Sequence, residues 1–209
     1  MHLHSESFAH RGTIPAEFAF GRIGDAASPI ALSTNRNPHL AWDEVPDGTA
    51  SFALLCVDPD APSRAEDVNQ KDRIVPASLP RAEFVHWILV DVPPQLRSIA
   101  AGAASEGIVA RGKPADVVLG GARQGRNDYT GWFAADPDMS GLFHGYDGPC
   151  PPFNDAIVHR YFFRLFALDV PRLALASDWG AAQALAAMRG HVLAEAVLYG
   201  TYSLNPALA

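Results

Sequence analysis

The residues with the clearest chemical potential are two polar side chains in the strand-like run 157–170. His159 and Tyr161 stand two residues apart. Side chains alternate between the two faces of a strand, so both should project from the same face. An imidazole beside a phenol can donate hydrogen bonds to an anion or transfer protons in acid and base catalysis. The spacing therefore predicts a polar site on this face.

A second imidazole is found in the strand-like run 84–92. Regular alternation predicts that His86 shares a face with Phe84 and Ile88, so that a polar ring points where an aliphatic side chain is expected. A single histidine in a strand is more often a satisfied core residue than a ligand, and Tyr161 alone is more often a packing residue. The joint occurrence of these side chains is what favours a functional site.

Asp58 and Cys150 are two further side chains with chemical content. Asp58 closes the apolar run 51–58, and Pro59 directly after it has no N–H to add to a strand ladder. This predicts that Asp58 lies at a strand end, although a carboxylate in this position can also simply cap a turn. Cys150, inside the proline-rich turn "GPCPP", is the one candidate nucleophile.

No metal site or cofactor is predicted. Four candidate side chains are of types that bind zinc: Asp58, His86, Cys150 and His159. None of them has the close spacing that indicates a zinc site. His2, His4 and His10 could bind a metal adventitiously, on a chain end that is expected to be mobile. The sequence also lacks the motifs of serine hydrolases, zinc proteases, P-loop proteins and Rossmann domains.

The elements that would position these residues are predominantly strands. Runs rich in aromatic and aliphatic residues, bounded by Pro, Gly and Asp, lie at 30–32, 40–42, 51–58, 84–92 and 157–170. Alanine and leucine spacing predicts a helix over 179–195, followed by a last strand within 196–204. The charged segment 63–73 and the glycine-rich segment 120–131 are predicted to be surface loops.

Composition limits the class of protein. The chain has 209 residues, 48% of them hydrophobic, and is expected to form a single domain over 1–209. A net charge of −7 argues against nucleic acid as a partner. The first residues lack the pattern of a secretory signal, and no apolar run is long enough to cross a bilayer. These features predict a cytoplasmic protein with reduced cysteines and no stable membrane insertion.

Three segments have a distinctive sequence: "DPDAPS" (58–63), "HWILVDVPP" (86–94) and "GPCPPFNDAIVHRYFFRLFALD" (148–169). Together they resemble the phosphatidylethanolamine-binding protein (PEBP) family, which includes Raf kinase inhibitor protein, and in particular its bacterial YbhB- and YbcL-like members. Weaker matches are "NPHLAWDEVPDGTASFALL" upstream and "GHVLAEAVLYGTYSL" at the end. The segments follow the family's order and cover most of the chain.

The resemblance implies a mainly β, PEBP-like fold, in which a large central sheet is flanked by a smaller second sheet and by one or two helices near the C-terminus. It also implies a small pocket that binds an anion, such as phosphate, phosphoethanolamine or a phospholipid head group. Since the sequence supplies no obvious nucleophile or metal apart from the candidate Cys150, we expect a regulatory or ligand-sensing module and not an enzyme. By position in the family's motifs, the ligand-binding residues would be Asp58, Phe84, His86, Cys150, Pro152, His159 and Tyr161.

An aspartate in an anion pocket needs a physical explanation. Asp58 would raise the pKa of a neighbouring histidine, since an opposite charge within a few ångströms favours the imidazolium. Protonated His86 or His159 could then donate a hydrogen bond to a phosphate oxygen, with Tyr161 as a neutral donor. In the alternative arrangement, Asp58 itself is protonated beside the ligand.

The chain departs from the family's pattern in three places. The segment 64–81 looks like an insertion that could partly cover the site, and the spacing from Pro152 to His159 is one residue longer than in the animal proteins. The C-terminal tyrosine of the animal pocket has no clear counterpart. Two other functions remain open: a module that docks on a kinase or peptidase and inhibits it, and a cysteine-dependent hydrolase that uses Cys150. A homodimer also remains open.

Overall fold

The computed structural model describes residues 1–208. The strands are β1 (His2–His4), β2 (Gly21–Ile23), β3 (Ile30–Leu32), β4 (Leu40–Asp43), β5 (Ser51–Pro62), β6 (Arg81–Val92), β7 (Ser98–Ile99), β8 (Val117–Val118), β9 (Ala122–Gln124), β10 (His159–Leu168) and β11 (Val192–Tyr202). The helices are α1 (Tyr129–Trp132) and α2 (Ala181–Met188), with a short 3-10 turn at Ala16–Phe18. Among these residues, no helix is long and apolar enough to cross a membrane.

Six strands form one antiparallel sheet in the order β11-β10-β5-β6-β9-β8. Its centre is made by β10, β5 and β6, the three runs of aromatic and aliphatic residues that the sequence marks as strands. The neighbours β5 and β6 are both buried along most of their length, which explains why these runs are almost continuously apolar. This sheet is the frame on which the site is built.

The two faces of the large sheet are covered differently. On one face, a three-stranded sheet in the order β1-β4-β7 brings Leu3, Leu40 and Trp42 into a core with Phe52 and Phe163. On the other face, α2 and the segment before it pack over a second apolar cluster of the same sheet. The large sheet, the smaller sheet and the helix near the C-terminus confirm the mainly β fold that was predicted.

The predicted helix over 179–195 is too long. The observed helix ends at Met188, and Gly190 adopts a positive φ of 82°, a conformation that favours glycine and reverses the chain. From Val192 onward the chain is a strand, paired with β10 along its whole length. Pairing within the sheet therefore overrides the helical preference of the alanines in this segment.

The glycine-rich segment 120–131 is not the surface loop that its composition predicts. It contains β9 and leads into α1, and Gln124, Asn127 and Tyr129 are all buried. Glycine in this segment serves close packing, because a Cβ on Gly125 would lie 2.4 Å from the Trp179 ring. The segment supplies part of the wall of the site.

Candidate functional site

A cavity of about 140 Å³ lies beside the large sheet, on the face that carries Tyr161. All seven residues expected from the sequence line it: Asp58, Phe84, His86, Cys150, Pro152, His159 and Tyr161. The remaining lining residues, which sequence reasoning did not single out, are Phe20, Ala61, Pro62, Val68, Asn69, Tyr129, Trp132, Phe133 and Pro151. The structure thus brings together three segments that are far apart in the chain.

Asp58 does not end its strand. β5 continues through Pro59 to Pro62, with a register shift against β6 between Asp58 and Ala61. The irregular pairing is compatible with a proline in a strand, since the missing N–H then falls where no regular ladder is formed. One carboxylate oxygen of Asp58 accepts a hydrogen bond of 2.7 Å from the N–H of Asp60. This local hydrogen bond therefore orients the Asp58 carboxylate in the absence of a ligand.

His86 reaches the cavity because of a bulge in β6. The pairing with β5 shifts between Cys56, opposite Trp87, and Val57, opposite Val85. His86 and its neighbour Trp87 consequently both lie on the cavity side, whereas regular alternation would separate them. Ile88 belongs to the cluster on the opposite face. The prediction that Ile88 shares a face with His86 is therefore wrong, while Phe84 and His86 do share one.

His159 lies between two carboxylates. Its Nδ1 donates to Asp58 Oδ2 at 2.7 Å, and its Nε2 lies 3.1 Å from Oδ2 of Asp155. Arg81 binds Asp155 through both terminal nitrogens, at 2.6 and 3.0 Å. The side chains of Asp58, Asp155 and His159 are almost completely buried, and that of Arg81 is 13% exposed. Both ring nitrogens of His159 are thus engaged within the protein.

The two carboxylates keep His159 protonated. Burial alone would lower the pKa of the imidazole, but the hydrogen bonds and charges of Asp155 and Asp58 outweigh it and raise the pKa from 6.5 to about 9. The cluster of Asp58, Asp155, His159 and Arg81 then carries two negative and two positive charges. Its formal charge is zero, so Asp58 does not make the cavity negative.

His86 has a different environment. Its Nδ1 lies 2.7 Å from the backbone carbonyl oxygen of Asp147, and because a carbonyl only accepts, Nδ1 carries the proton. Burial lowers the pKa of this imidazole, although the charge of Asp58 opposes the shift. At neutral pH, His86 is therefore uncharged and its Nε2 is free of a proton. Protonation would turn Nε2 into a donor for an anion in the cavity.

A buried polar cluster fixes the carbonyl to which His86 donates. The Asp147 carboxylate accepts hydrogen bonds of 2.8 Å from Lys113, 2.8 Å from Asn35 and 2.9 Å from Asn127. Lys113 is largely buried and also donates to the Tyr146 and Gly107 carbonyl oxygens. Sequence reasoning missed this cluster, since its members come from four separate segments without a common motif.

Tyr161 presents a hydroxyl group that has no partner. Its ring is fully buried and meets the ring of His86 edge-on, with 5.2 Å between the centroids. Within residues 1–208, the Tyr161 hydroxyl is one of few buried side-chain polar atoms without a hydrogen-bond partner. A buried hydroxyl group is normally satisfied, because leaving it unpaired costs about 1–3 kcal/mol. At the edge of a cavity, such a group points to a ligand.

An aromatic wall faces these polar groups. Phe20, Tyr129 and Phe133 form a cluster in which Tyr129 stacks on Phe20 at 4.8 Å and on Phe133 at 5.7 Å between centroids, and Phe84 meets Tyr129 edge-on. The Tyr129 hydroxyl donates to the Gly148 carbonyl oxygen at 2.9 Å, so it is already satisfied. Trp132 is about half exposed at the rim. The aromatic residues of "NDYTGWF" were the available signal for this wall, but the neighbouring glycines suggested a surface loop.

The segment 64–81 does reach the cavity. Val68 and Asn69 contribute to its lining. The side chain of Asn154, two residues after Pro152, donates to the carbonyl oxygens of Asp67, Gln70 and Arg73 at 2.8, 3.0 and 3.0 Å. This one amide ties the loop to the proline-rich turn on the other side of the cavity.

Comparison with known proteins agrees with this architecture. The family described as phosphatidylethanolamine-binding protein matches residues 4–203. A UPF0098 protein of Methanothermobacter thermautotrophicus is 35% identical over 202 residues, which are 97% of this chain and 98% of that protein. The UPF0098 protein YbhB of Escherichia coli is 33% identical over 157 residues, which are 75% of this chain and 73% of YbhB.

Two solved structures of related proteins have a similar fold. The crystal structure of a putative PEBP homologue from Chlamydia trachomatis aligns with a TM-score of 0.64 at 26% identity, over 97% of this chain and 96% of the other. Escherichia coli YbcL aligns with a TM-score of 0.67 over 97% of both chains, and at 23% identity this likeness concerns the fold alone. Sequence, fold and family match agree, and the chain belongs to the phosphatidylethanolamine-binding protein family.

Proposed function

We propose that the cavity binds a small phosphate-type anion, such as phosphate, phosphoethanolamine or a phospholipid head group, and that the protein acts through binding, not catalysis. The observation that carries the proposal is the buried, unpartnered hydroxyl of Tyr161 in a cavity that His86 also lines, with the two rings in edge-on contact. The Tyr161 hydroxyl and Nε2 of His86 can both donate to an anion in this cavity once His86 is protonated. His159 has a supporting role, because both of its ring nitrogens are occupied.

The charge balance of this cluster allows an anion to enter the cavity despite the presence of two aspartates. Asp58 and Asp155 are neutralised by His159 and Arg81, so an entering anion meets no net negative charge from these groups. Protonated His86 would add one positive charge next to the ligand. In a site shielded from water, such a charge interacts more strongly with an anion than it would at the surface.

The shape of the cavity matches a head group with an apolar neighbour. Its volume of about 140 Å³ is small, and its outer wall consists of Phe84, Trp132 and Phe133. A wall of aromatic rings with a few converging polar groups is the usual composition of a small-molecule site. In this proposal, the phosphate lies against Tyr161 and His86, and the remainder of the ligand contacts the aromatic wall.

The chemistry of Cys150 favours binding over a cysteine-dependent hydrolase. Burial raises the pKa of this thiol to about 12, so it is protonated at neutral pH. A cysteine nucleophile needs an adjacent base or positive charge that lowers the thiol pKa. Neither ring nitrogen of His159 is free to provide such a base.

Replacing Tyr161 by Phe is expected to weaken anion binding tenfold or more without lowering the stability of the fold. A hydrogen bond to a charged group contributes about 1.5–3 kcal/mol, which corresponds to at least about tenfold in affinity. Since the hydroxyl has no protein partner, its removal takes away no internal bond. Calorimetric titration with phosphoethanolamine and with inorganic phosphate, together with urea unfolding, measures both quantities.

Tyr129→Phe is the matched control, because it removes a hydroxyl of the same cavity that is already bonded to Gly148. This variant should lose about 1 kcal/mol of stability and keep most of its affinity. Equal affinity of Tyr161→Phe and the unchanged protein for both ligands would refute the proposed site.

Anion affinity is expected to fall as the pH rises from about 5.5 to about 8.5, by up to about tenfold per unit, because one proton must be bound by His86. Burial lowers the pKa of free His86, so the decline should begin in the acidic range and continue through neutral pH. Glycerophosphoethanolamine is the suitable probe, since a phosphodiester does not itself titrate in this range. A His86→Gln variant, whose amide donates without titrating, should bind weakly and show a flat profile.

A further inference from the structure

The N-terminal strand places two histidines on an exposed face. In β1, Leu3 is buried against the core, whereas His2 and His4 point to solvent. Their rings stack with 5.6 Å between the centroids and 20° between the planes. The chain end that was expected to be mobile is thus part of a sheet, paired with β4. Alternation around Leu3 is sufficient to explain why both histidines are exposed.

A carboxylate on the neighbouring strand β4 lies close to these two histidines, and alternation within β1 does not account for its position. Asp43 of β4 lies directly opposite His2 in the register, with His2 Nδ1 and Asp43 Oδ1 3.9 Å apart. One nitrogen from each histidine and one oxygen of Asp43 all lie within 4.8 Å of one another. Within residues 1–208, this is the only group of three such ligand atoms.

The arrangement is close to the geometry of a metal site. Zinc holds nitrogen and oxygen ligands at about 2.0–2.2 Å, so the ligand atoms around it lie about 3–3.5 Å apart. The present atoms would have to close by roughly 1 Å, which rotations of these exposed side chains can supply, with the two stacked imidazoles turning relative to each other. The side chains of His2 and Asp43 are 67% and 59% exposed.

We propose that His2, His4 and Asp43 bind one divalent transition-metal ion of the zinc class across β1 and β4. Two imidazoles and one carboxylate suit such ions, whereas Mg²⁺ and Ca²⁺ prefer oxygen ligands alone. Three protein ligands leave at least one coordination position for water or another ligand. The ion would also clip the three-residue strand β1 to its neighbour, and binding to the folded state alone would stabilise the protein.

The test is calorimetric titration of the tag-free chain with ZnCl₂ near neutral pH, with and without a large excess of Mg²⁺. We expect saturable binding of one ion per chain that Mg²⁺ does not displace. In ¹⁵N-HSQC spectra, the amide signals that shift should be those of 2–4 and 41–43. Added Zn²⁺ should also raise the midpoint of thermal unfolding.

Variants identify the ligands. His4→Ala and Asp43→Asn should each weaken Zn²⁺ binding by at least about tenfold, the loss that even outer-shell changes produce at metal sites. The matched control is His191→Ala, which removes an exposed histidine that is also paired with an aspartate, Asp169 at 2.9 Å, but lacks a third ligand. This variant should bind Zn²⁺ as the unchanged protein does. The proposal is overturned if saturable binding is absent, if His191→Ala is impaired as much as His4→Ala, or if Asp43→Asn retains full affinity.

Discussion

Replacement of His159 by Leu is expected to lower the free energy of unfolding by about 3–5 kcal/mol near neutral pH. The imidazolium lies between Asp58 and Asp155, and an apolar side chain in its place would leave two buried carboxylates facing each other. Removing one partner of a buried ion pair is costly because the remaining charge has lost its compensation. Urea unfolding monitored by tryptophan fluorescence measures the loss.

The same replacement should change the dependence of stability on pH. The pKa of His159 is raised from 6.5 in the unfolded chain to about 9 in the folded one. Its contribution is therefore fully present below about pH 6.5, and it is lost as the pH rises through about 9. The unchanged protein should lose stability across this window, and His159→Leu should not. His191→Leu, which removes an exposed pair, should cost less than about 1 kcal/mol and retain the slope. An unaltered slope in His159→Leu would contradict the assignment of the imidazolium.

Replacement of Lys113 by Met is expected to have the second largest effect, with a loss of about 3–5 kcal/mol in stability. The ammonium group donates to Asp147 and to two backbone carbonyl oxygens, and without it the buried Asp147 carboxylate keeps only its amide donors. Because the Asp147 carbonyl oxygen orients His86, anion affinity should fall as well. Urea unfolding and titration with phosphoethanolamine measure the two effects.

The sequence offers a clean control for this prediction. The chain has two lysines, Lys71 and Lys113. Lys71 lies in the segment 64–81, where its exposed ammonium donates to the backbone oxygens of Ala26 and Ala27. Lys71→Met should change the stability by no more than about 0.5 kcal/mol. If both lysine variants unfold at the same urea concentration, the Lys113 ammonium does not stabilise the buried Asp147 carboxylate.

The position of His159 and Tyr161 on the same face could be predicted from the sequence because β10 is a regular strand. Its burial pattern alternates from His159 to Arg164, as period-two spacing requires. The motifs that resemble the family also identified residues that line the cavity, from three separate segments. Local periodicity and family resemblance were therefore sufficient for the three central strands of the large sheet and for the polar side chains of the cavity. They failed for β1 and β9, which lie in segments expected to be a mobile chain end and a surface loop.

Three features of the site could not be predicted from the sequence. The bulge at His86 has no glycine or proline to mark it, so regular alternation assigned Ile88 to the wrong face. The dependence of His86 on Lys113 arises only through Asp147, and no spacing rule connects residues that meet through tertiary packing. The second carboxylate on His159, Asp155, stood within a quoted motif, but its role required the position of Arg81.

The bulge in β6 also divides that strand into two segments with opposite phase. Before the bulge, the even-numbered Phe84 points toward the cavity, and after it the odd-numbered Leu89 points toward the same side. Deleting one residue between 85 and 87 would remove the bulge and restore regular alternation, so that this stretch would place one side chain fewer on the cavity side. The extra residue is therefore what allows His86 and Trp87 to lie on the same side of the sheet. A regular strand in this place could present only one of these two rings to that side, either the imidazole or the indole.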